Sequence, residues 1–367
     1  MHALAALLLT LAVPASAASR PRVVLVTLDT TRADRMGFLG AGRGLTPALD
    51  ALARQAVVFE RAYAAAPLTT VSHATILTGV SPGRHGVVDF GVSLPASVPY
   101  LPAILKAAGY RTAAFVGALV LDPRDGTAPG FDRGFDTYDA GFGARLAGQD
   151  RYRTLERRGR DVVARALRWL DAAGAGPVFL WVHLYDPHDP YEAEPPFSRM
   201  AGRSAYDAEI AATDAAVGTL LAGLRARPDW TDTLVAICAD HGESLGDHGE
   251  DTHGVFLYDE TVHVPLLVKR LREKSAGRRV AARVGLVDLV PTILEEIGIA
   301  APPSLSGRSL WPILDAPRAE DRPACGETDY PSRSLGWSPL RSLRIDRFLF
   351  VDAPRRELYD QAADPGA

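Results

Sequence analysis

Val23-Val24-Leu25-Val26-Thr27-Leu28-Asp29 is a short, mostly β-branched apolar run that ends in an acid. Leu234-Val235-Ala236-Ile237-Cys238-Ala239-Asp240 repeats the arrangement and continues into His241-Gly242-Glu243. Runs this short and this apolar read as strands covered on both faces, which is the environment of a parallel sheet. An acid closing such a strand stands at its carboxyl end, the edge where open α/β sheets collect their ligands. The two runs therefore predict a doubly wound sheet with a carboxylate delivered twice to one edge.

The rest of the chain follows the alternation of strand and helix. Strands are expected over 23–28, 57–59, 112–116, 177–183, 234–239 and 264–268. Helices are expected over 46–56, 69–78, 100–108, 152–172, 206–225 and 287–296. Thr46 caps the first helix with Pro47 at its first position, and Gly79 closes the second. The stretch 117–148 is loop-rich and is expected to overhang the ligand edge. Asp, Pro and Arg cluster over 314–323, and 340–351 then alternates like a hairpin. The expected fold is α/β, a doubly wound, mostly parallel sheet flanked by helices, with a small, short C-terminal antiparallel subdomain. The expected division is 20–316 for the main domain and 317–367 for the subdomain.

Composition narrows the function. The 367 residues are 47% hydrophobic and carry a net charge of −4. No basic tract points to nucleic acid. Ala3 to Val13 is an apolar run followed by Ala15-Ser16-Ala17, the form of a signal peptide over 1–17. It is too short to span a bilayer, so export to the periplasm or beyond is expected. An uncleaved anchor is the alternative, and no other membrane contact is expected. Cys238 reads as a buried small apolar residue, and Cys325 lies in a loop. Two cysteines allow one disulfide but make no framework.

Pro67-Leu68-Thr69-Thr70-Val71-Ser72-His73 places a hydroxyl at the mouth of a helix, where backbone N–H groups and the helix dipole favour negative charge. A hydroxyl there can cap the helix. Held by a cation, it can act as an alkoxide nucleophile. Asp240 and His241 form the best metal-binding pair. Asp29, Thr69, Asp240 and His241 together make a four-ligand set of two carboxylates, a hydroxyl and an imidazole. An imidazole suits Zn²⁺ or Mn²⁺ better than Ca²⁺, with Ca²⁺ as the third option. One divalent ion is expected, and a second is left open.

These segments, together with Thr46-Pro47-Ala48-Leu49-Asp50, Gly130-Phe131-Asp132-Arg133-Gly134-Phe135-Asp136, Pro187-His188-Asp189-Pro190-Tyr191 and Glu357-Leu358-Tyr359-Asp360, resemble the sulfatase branch of the alkaline phosphatase superfamily in composition and order. The resemblance covers nearly the whole chain after residue 17. It implies a metal-dependent ester hydrolase acting on a small anionic ester. Thr69 stands where sulfatases carry Cys or Ser in Cys/Ser-x-Pro-Ser-Arg, and Thr30 stands where a second acid is usual. Sulfatases oxidise their Cys or Ser to an aldehyde, whose hydrate attacks sulfur. Threonine cannot give that aldehyde, because its carbinol carbon also carries a methyl. The expected reaction is therefore cleavage of a phosphorus ester, diester or phosphonate, in preference to a sulfate ester. The Asp-His pair is shared with threonine-dependent phosphoethanolamine transferases and with phosphonate monoester hydrolases. Alternatives are a sulfuric ester hydrolase working on unmodified threonine, a phospho-group transferase, and a catalytically silent anion-binding protein.

The resemblance also assigns histidines. His253, in Thr252-His253-Gly254, stands where sulfatases bind substrate with lysine. His188 matches a histidine near the leaving-group oxygen, and either could donate a proton to it. His73 replaces the arginine beside the nucleophile and joins the catalytic candidates. His85, His183 and His248 are alternatives. The chain has three lysines, Lys106, Lys269 and Lys274, and none falls at a sulfatase lysine position. Arg32 remains as an anion-binding candidate, or as a salt-bridge partner of Asp34.

Overall fold

The computed structural model describes residues 20–124, 127–142, 157–200, 202–316, 321–364 and 366. The expected signal peptide and part of the loop-rich stretch 117–148 lie outside them. Among the described residues, no helix is long and apolar enough to cross a membrane.

Eight strands form the main sheet: β1 (Arg22–Leu28), β2 (Val57–Tyr63), β3 (Arg111–Val116), β4 (Thr137–Asp139), β5 (Val178–Leu184), β6 (Thr233–Ala239), β7 (His263–Lys269) and β8 (Arg279–Gly285). Their order across the sheet is β4-β3-β5-β1-β6-β7-β2-β8. β1 sits between β5 and β6, parallel to both, and every residue of the three is buried. Burial on both faces is why these strands lack alternation. β7 runs against β6 and β2, so the sheet is mixed, though mostly parallel. Apolar runs do not encode strand direction, so the pattern alone cannot supply it.

Helices α1 (Pro47–Ala53), α2 (Thr69–Thr78), α3 (Pro82–His85), α4 (Leu101–Ala107), α5 (Gly159–Ala173), α6 (Ala205–Arg225), α7 (Asp259–Val262) and α8 (Leu289–Glu296) accompany the sheet, and two short helices, Trp311–Asp315 and Tyr330–Leu335, follow. α5 packs on β3 and β5 and against α6, which also meets α1. α2 packs with α3, α4 and α8. The expected 206–225 helix begins one residue earlier, and that at 287–296 opens with a 3-10 turn, Leu286–Asp288. β4 and β8 have no counterpart among the expected strands. β4 is three residues long, and β8 alternates exposed and buried positions with charged residues in it.

A second, antiparallel sheet follows, ordered β12-β11-β10-β9, from β9 (Ala324–Thr328), β10 (Leu340–Ile345), β11 (Phe348–Asp352) and β12 (Glu357–Asp360). The expected hairpin is β10 and β11. Cys238 is buried and Cys325 exposed, and both are free thiols.

Candidate active site

The central strands end in register: Leu28 pairs with Leu184 on one side and Ala239 on the other. The ladder then runs one step further, with the Asp29 N–H donating to the Leu184 carbonyl at 2.9 Å and the Asp240 N–H to the Leu28 carbonyl at 3.1 Å. Two acids thus leave adjacent strands side by side, both fully buried.

α2 meets them with its N-terminus. All ten of its residues are buried, so it shows no amphipathic stripe. Gly79 ends it in a left-handed turn (φ 66°), where a Cβ would also come within 2.9 Å of Val290 Cβ. Leu68 occupies the cap position and makes no side-chain cap bond. Thr69 is therefore the first helical residue rather than the cap. Its hydroxyl points at the acids, 3.4 Å from Asp29 Oδ1 and 3.2 Å from His241 Nε2. His241 Nε2 also lies 3.6 Å from Asp29 Oδ1 and 3.5 Å from Asp240 Oδ2.

The His241 ring is fixed from behind. Its Nδ1 faces the Gly242 carbonyl at 2.9 Å, which can only accept, so Nδ1 carries the proton and Nε2 presents a lone pair. Gly242 must be glycine, because a Cβ would lie 2.0 Å from the Glu260 carbonyl oxygen. Burial, with His253 nearby, pushes the His241 imidazolium down to about 3, so the ring is neutral at ordinary pH.

The electrostatics call for a cation. Burial and the charge of Asp29 push the Asp240 carboxyl well above the usual range. Burial also opposes ionisation of Asp29, but His183, whose Nε2 lies 3.4 Å from Oδ2, and the rings beyond it hold its carboxyl well below that range. Asp29 Oδ2 and Asp240 Oδ2 are buried with no hydrogen-bond partner. Two buried carboxylates cannot both stay ionised without positive charge between them. Asp29, Asp240 and His241 can bring ligand atoms within 4.8 Å of one another.

Two histidines stand above this floor. The His253 ring centroid is 4.5 Å from that of His241 and 5.2 Å from that of His188. His253 Nδ1 meets Glu243 Oε1 at 3.0 Å, and the Tyr191 hydroxyl donates to Glu243 Oε2 at 2.9 Å. Glu243 is fully buried and is absent from the residues expected at the site, although it closes the Asp240-His241-Gly242-Glu243 run. Burial works against a charged His253, but the Glu243 carboxylate outweighs it and lifts the ring above the ordinary imidazole value. His188 is held through Nδ1 by the Tyr185 hydroxyl at 2.9 Å and the Asp189 carbonyl at 2.8 Å, and burial lowers its proton affinity.

The other candidates are committed differently, although His73 Nδ1 also lies 3.4 Å from Asp240 Oδ2. His73 is fully buried behind Thr69, one turn along α2. Its Nδ1 donates to the Thr69 carbonyl at 2.8 Å and its Nε2 meets the Thr27 hydroxyl at 2.9 Å. Both nitrogens are engaged, and burial pushes its proton affinity far down. Arg32 directs its guanidinium to Asp34 (2.9 Å), Asp247 (2.8 Å) and the carbonyls of Glu243 and Ser244. It fastens the 243–247 loop, and the salt-bridge reading describes it. His85 is buried against Thr75, and His248 stacks on Tyr258 and bonds Glu260.

The sequence profile described as Sulfatase matches residues 21–299. A second, described as N-sulphoglucosamine sulphohydrolase, C-terminal, matches residues 246–367. The Ulvan-active sulfatase of Formosa agariphila is 28% identical, over 95% of this chain and 76% of that protein. The multifunctional alkaline phosphatase superfamily protein PehA of Trinickia caryophylli is 25% identical, over 85% of this chain and 79% of its own length. The crystal structure of the phosphonate monoester hydrolase of Agrobacterium radiobacter superposes with a TM-score of 0.78 at 22% identity, covering 95% of this chain and 90% of that one.

Proposed function

This chain belongs to the sulfatase family, and from that premise we propose that it cleaves a singly charged phosphorus ester, a diester or a phosphonate monoester, with Thr69 as nucleophile. It is an ester hydrolase of a metal-dependent family. The observation that carries the finer reading is the Thr69 hydroxyl, turned away from helix capping and towards Asp29 and His241 at the α2 N-terminus.

The donor set fits a single divalent ion. Thr69 and His241 lie 3.2–3.6 Å from their neighbours in the set, and the Asp29, Asp240 and His241 atoms within 4.8 Å of one another. Zinc bound at about 2.0–2.1 Å puts tetrahedral vertices about 3.4 Å apart. Calcium at about 2.4 Å gives similar edges in an octahedron, so the imidazole decides in favour of Zn²⁺ or Mn²⁺. Asp29, Asp240, His241 and Thr69 would hold the ion, which when bound lowers the Thr69 pKa and draws charge from the substrate oxygen.

The Thr69 oxygen attacks phosphorus as the bond to the leaving oxygen breaks. Of the two histidines considered for the step, His188 and His253, the one kept charged by Glu243, His253, gives that oxygen its proton. Water then attacks the resulting threonine ester at phosphorus, and the released Thr69 oxygen takes a proton back from the water. Threonine has no aldehyde route, so a sulfated enzyme would lack the collapse that releases sulfate. The lysines that sulfatases use are missing, and one divalent ion against two carboxylates neutralises a monoanion better than a dianion. Export, guided by 1–17, and a soluble anionic ester as substrate complete the reading.

The test is nitrophenol release from phosphate mono- and diesters, phosphonate monoesters and sulfate monoesters, with Zn²⁺, Mn²⁺ or Ca²⁺ added after chelation. Activity is expected to vanish on chelation and to return best with Zn²⁺ or Mn²⁺ on the singly charged phosphorus esters. Highest kcat/KM on sulfate esters, with Thr69 unmodified by mass spectrometry, would overturn the substrate class. A metal-loaded protein inert on all four would overturn the hydrolysis of such esters.

A further inference from the structure

Thr27 is the one polar residue in the β1 run from Val23 to Leu28. It is fully buried. A buried hydroxyl in a sheet core is costly unless it is bonded, and this one has three partners. It accepts from Trp181 Nε1–H at 3.0 Å, and meets His73 Nε2 at 2.9 Å and His183 Nδ1 at 3.2 Å.

The placement follows from two periodicities. Side chains two apart on a strand share a face, about 6.6–6.8 Å apart. Residues four apart on a helix share a face, about 6 Å apart. Thr27 and Asp29 are such a strand pair, and His73 and Thr69 are such a helix pair. Thr27 meets His73 at 2.9 Å and Asp29 meets Thr69 at 3.4 Å, two rungs between β1 and α2. On the neighbouring strand, His183 is the register partner of Thr27 and lies with Nε2 3.4 Å from Asp29 Oδ2.

The proton order is directional. The Thr69 carbonyl can only accept, so His73 Nδ1 carries hydrogen and a neutral ring leaves Nε2 bare. The Thr27 hydroxyl then donates to His73 Nε2, and its oxygen accepts from Trp181, with His183 Nδ1 3.2 Å away. One hydroxyl orients both rings, one behind the nucleophile and one behind the metal carboxylate.

We propose that Thr27 is a positioning residue: its hydroxyl pins α2 in register against β1 and fixes the distance between Thr69 and the metal carboxylate Asp29. This rests on the assignment of Thr69 and Asp29 above. Removing the pin lets the helix settle a fraction of an ångström away, and misplacement on the order of 1 Å costs about a hundredfold in rate. His183, which Thr27 also meets, stands 3.4 Å from the ligand Asp29, and loosening such an outer partner weakens metal binding by about tenfold.

The test compares Thr27→Val, which keeps the shape, with Thr27→Ser, which keeps the hydroxyl. Two readouts are needed: calorimetric titration with Zn²⁺ or Mn²⁺, and steady-state kinetics on the best ester. Thr27→Val is expected to weaken metal binding about tenfold and to lower kcat about 10- to 100-fold with KM within about twofold, and Thr27→Ser should restore both. Should valine leave the Trp181 N–H too costly for folding, Thr27→Val with Trp181→Phe removes both halves of that bond and should show the same losses. A folded valine variant with metal affinity and kcat within about twofold of the parent overturns the proposal. If the parent turns over no ester, the metal titration still decides the role of Thr27, while the reading of the function falls separately.

Discussion

The floor of the site and its rim are built on different terms. Asp29, Thr69, Asp240 and His241 are 0–2% exposed, come from the ends of β1 and β6 and from α2, and leave carboxylate oxygens unpartnered. His188 and His253 stand on loops, and each ring is held through Nδ1 by a neighbour on those same loops, Tyr185 or Glu243. The floor's carboxylates face histidines at 3.4 Å but keep oxygens without hydrogen-bond partners, and on the proposed reading a cation completes them. The rim already carries its counter-charges, so its state follows pH. On the proposed reading, a site divided this way keeps nucleophile and ligands on rigid elements and leaves proton delivery to loops, where chains vary most easily.

The largest effect should come from the floor. Thr69→Ala removes the attacking oxygen, and kcat should fall by about a thousandfold or more, while calorimetry still finds the metal, bound more weakly through three ligands. Retention of a tenth of the activity would move the nucleophile elsewhere.

An intermediate effect belongs to the rim. His253 is raised above its ordinary value by Glu243. A raised imidazole stays charged past pH 6.5 and loses its proton as the pH climbs further. If the charged ring serves the reaction, kcat/KM declines on the alkaline side. Glu243→Gln removes the lift, so the decline should begin at lower pH, with kcat/KM down about tenfold near neutrality. An unmoved alkaline limb would break the link between Glu243 and catalysis.

The smallest effect is expected just beyond the rim. His248 lies close in sequence to His253 but stacks on Tyr258 and bonds Glu260. His248→Ala should leave kcat/KM within about twofold. A larger loss would extend the rim to the surface near Asp259 and Glu260.

Much of the site is legible in the sequence. Each metal candidate ends an apolar run or opens a helix, and such punctuation survives in one dimension. The bounds of α2, Thr69–Thr78, follow from Gly79 and the hydroxyl cluster. Roles set by side-chain direction are not legible in this way. His73 by resemblance and Arg32 by proximity in sequence look like site residues; His73 lies 3.4 Å from Asp240 with its Nε2 turned to Thr27, and Arg32 is held by Asp34, Asp247 and two carbonyls. Glu243 gives no signal, because nothing local says that its carboxylate meets a histidine ten residues away.

By itself the sequence determined the α/β class and the strands that carry acids to one edge. Those follow from local hydrophobic period and punctuation, which each segment holds alone. The tertiary structure decided that β7 runs antiparallel, that Thr69 turns from capping to the acids, and that Thr27 joins α2 to β1 and β5. Each of these depends on two or more segments distant in the chain. Their free energies come from burial and hydrogen bonds that exist only once the segments have met.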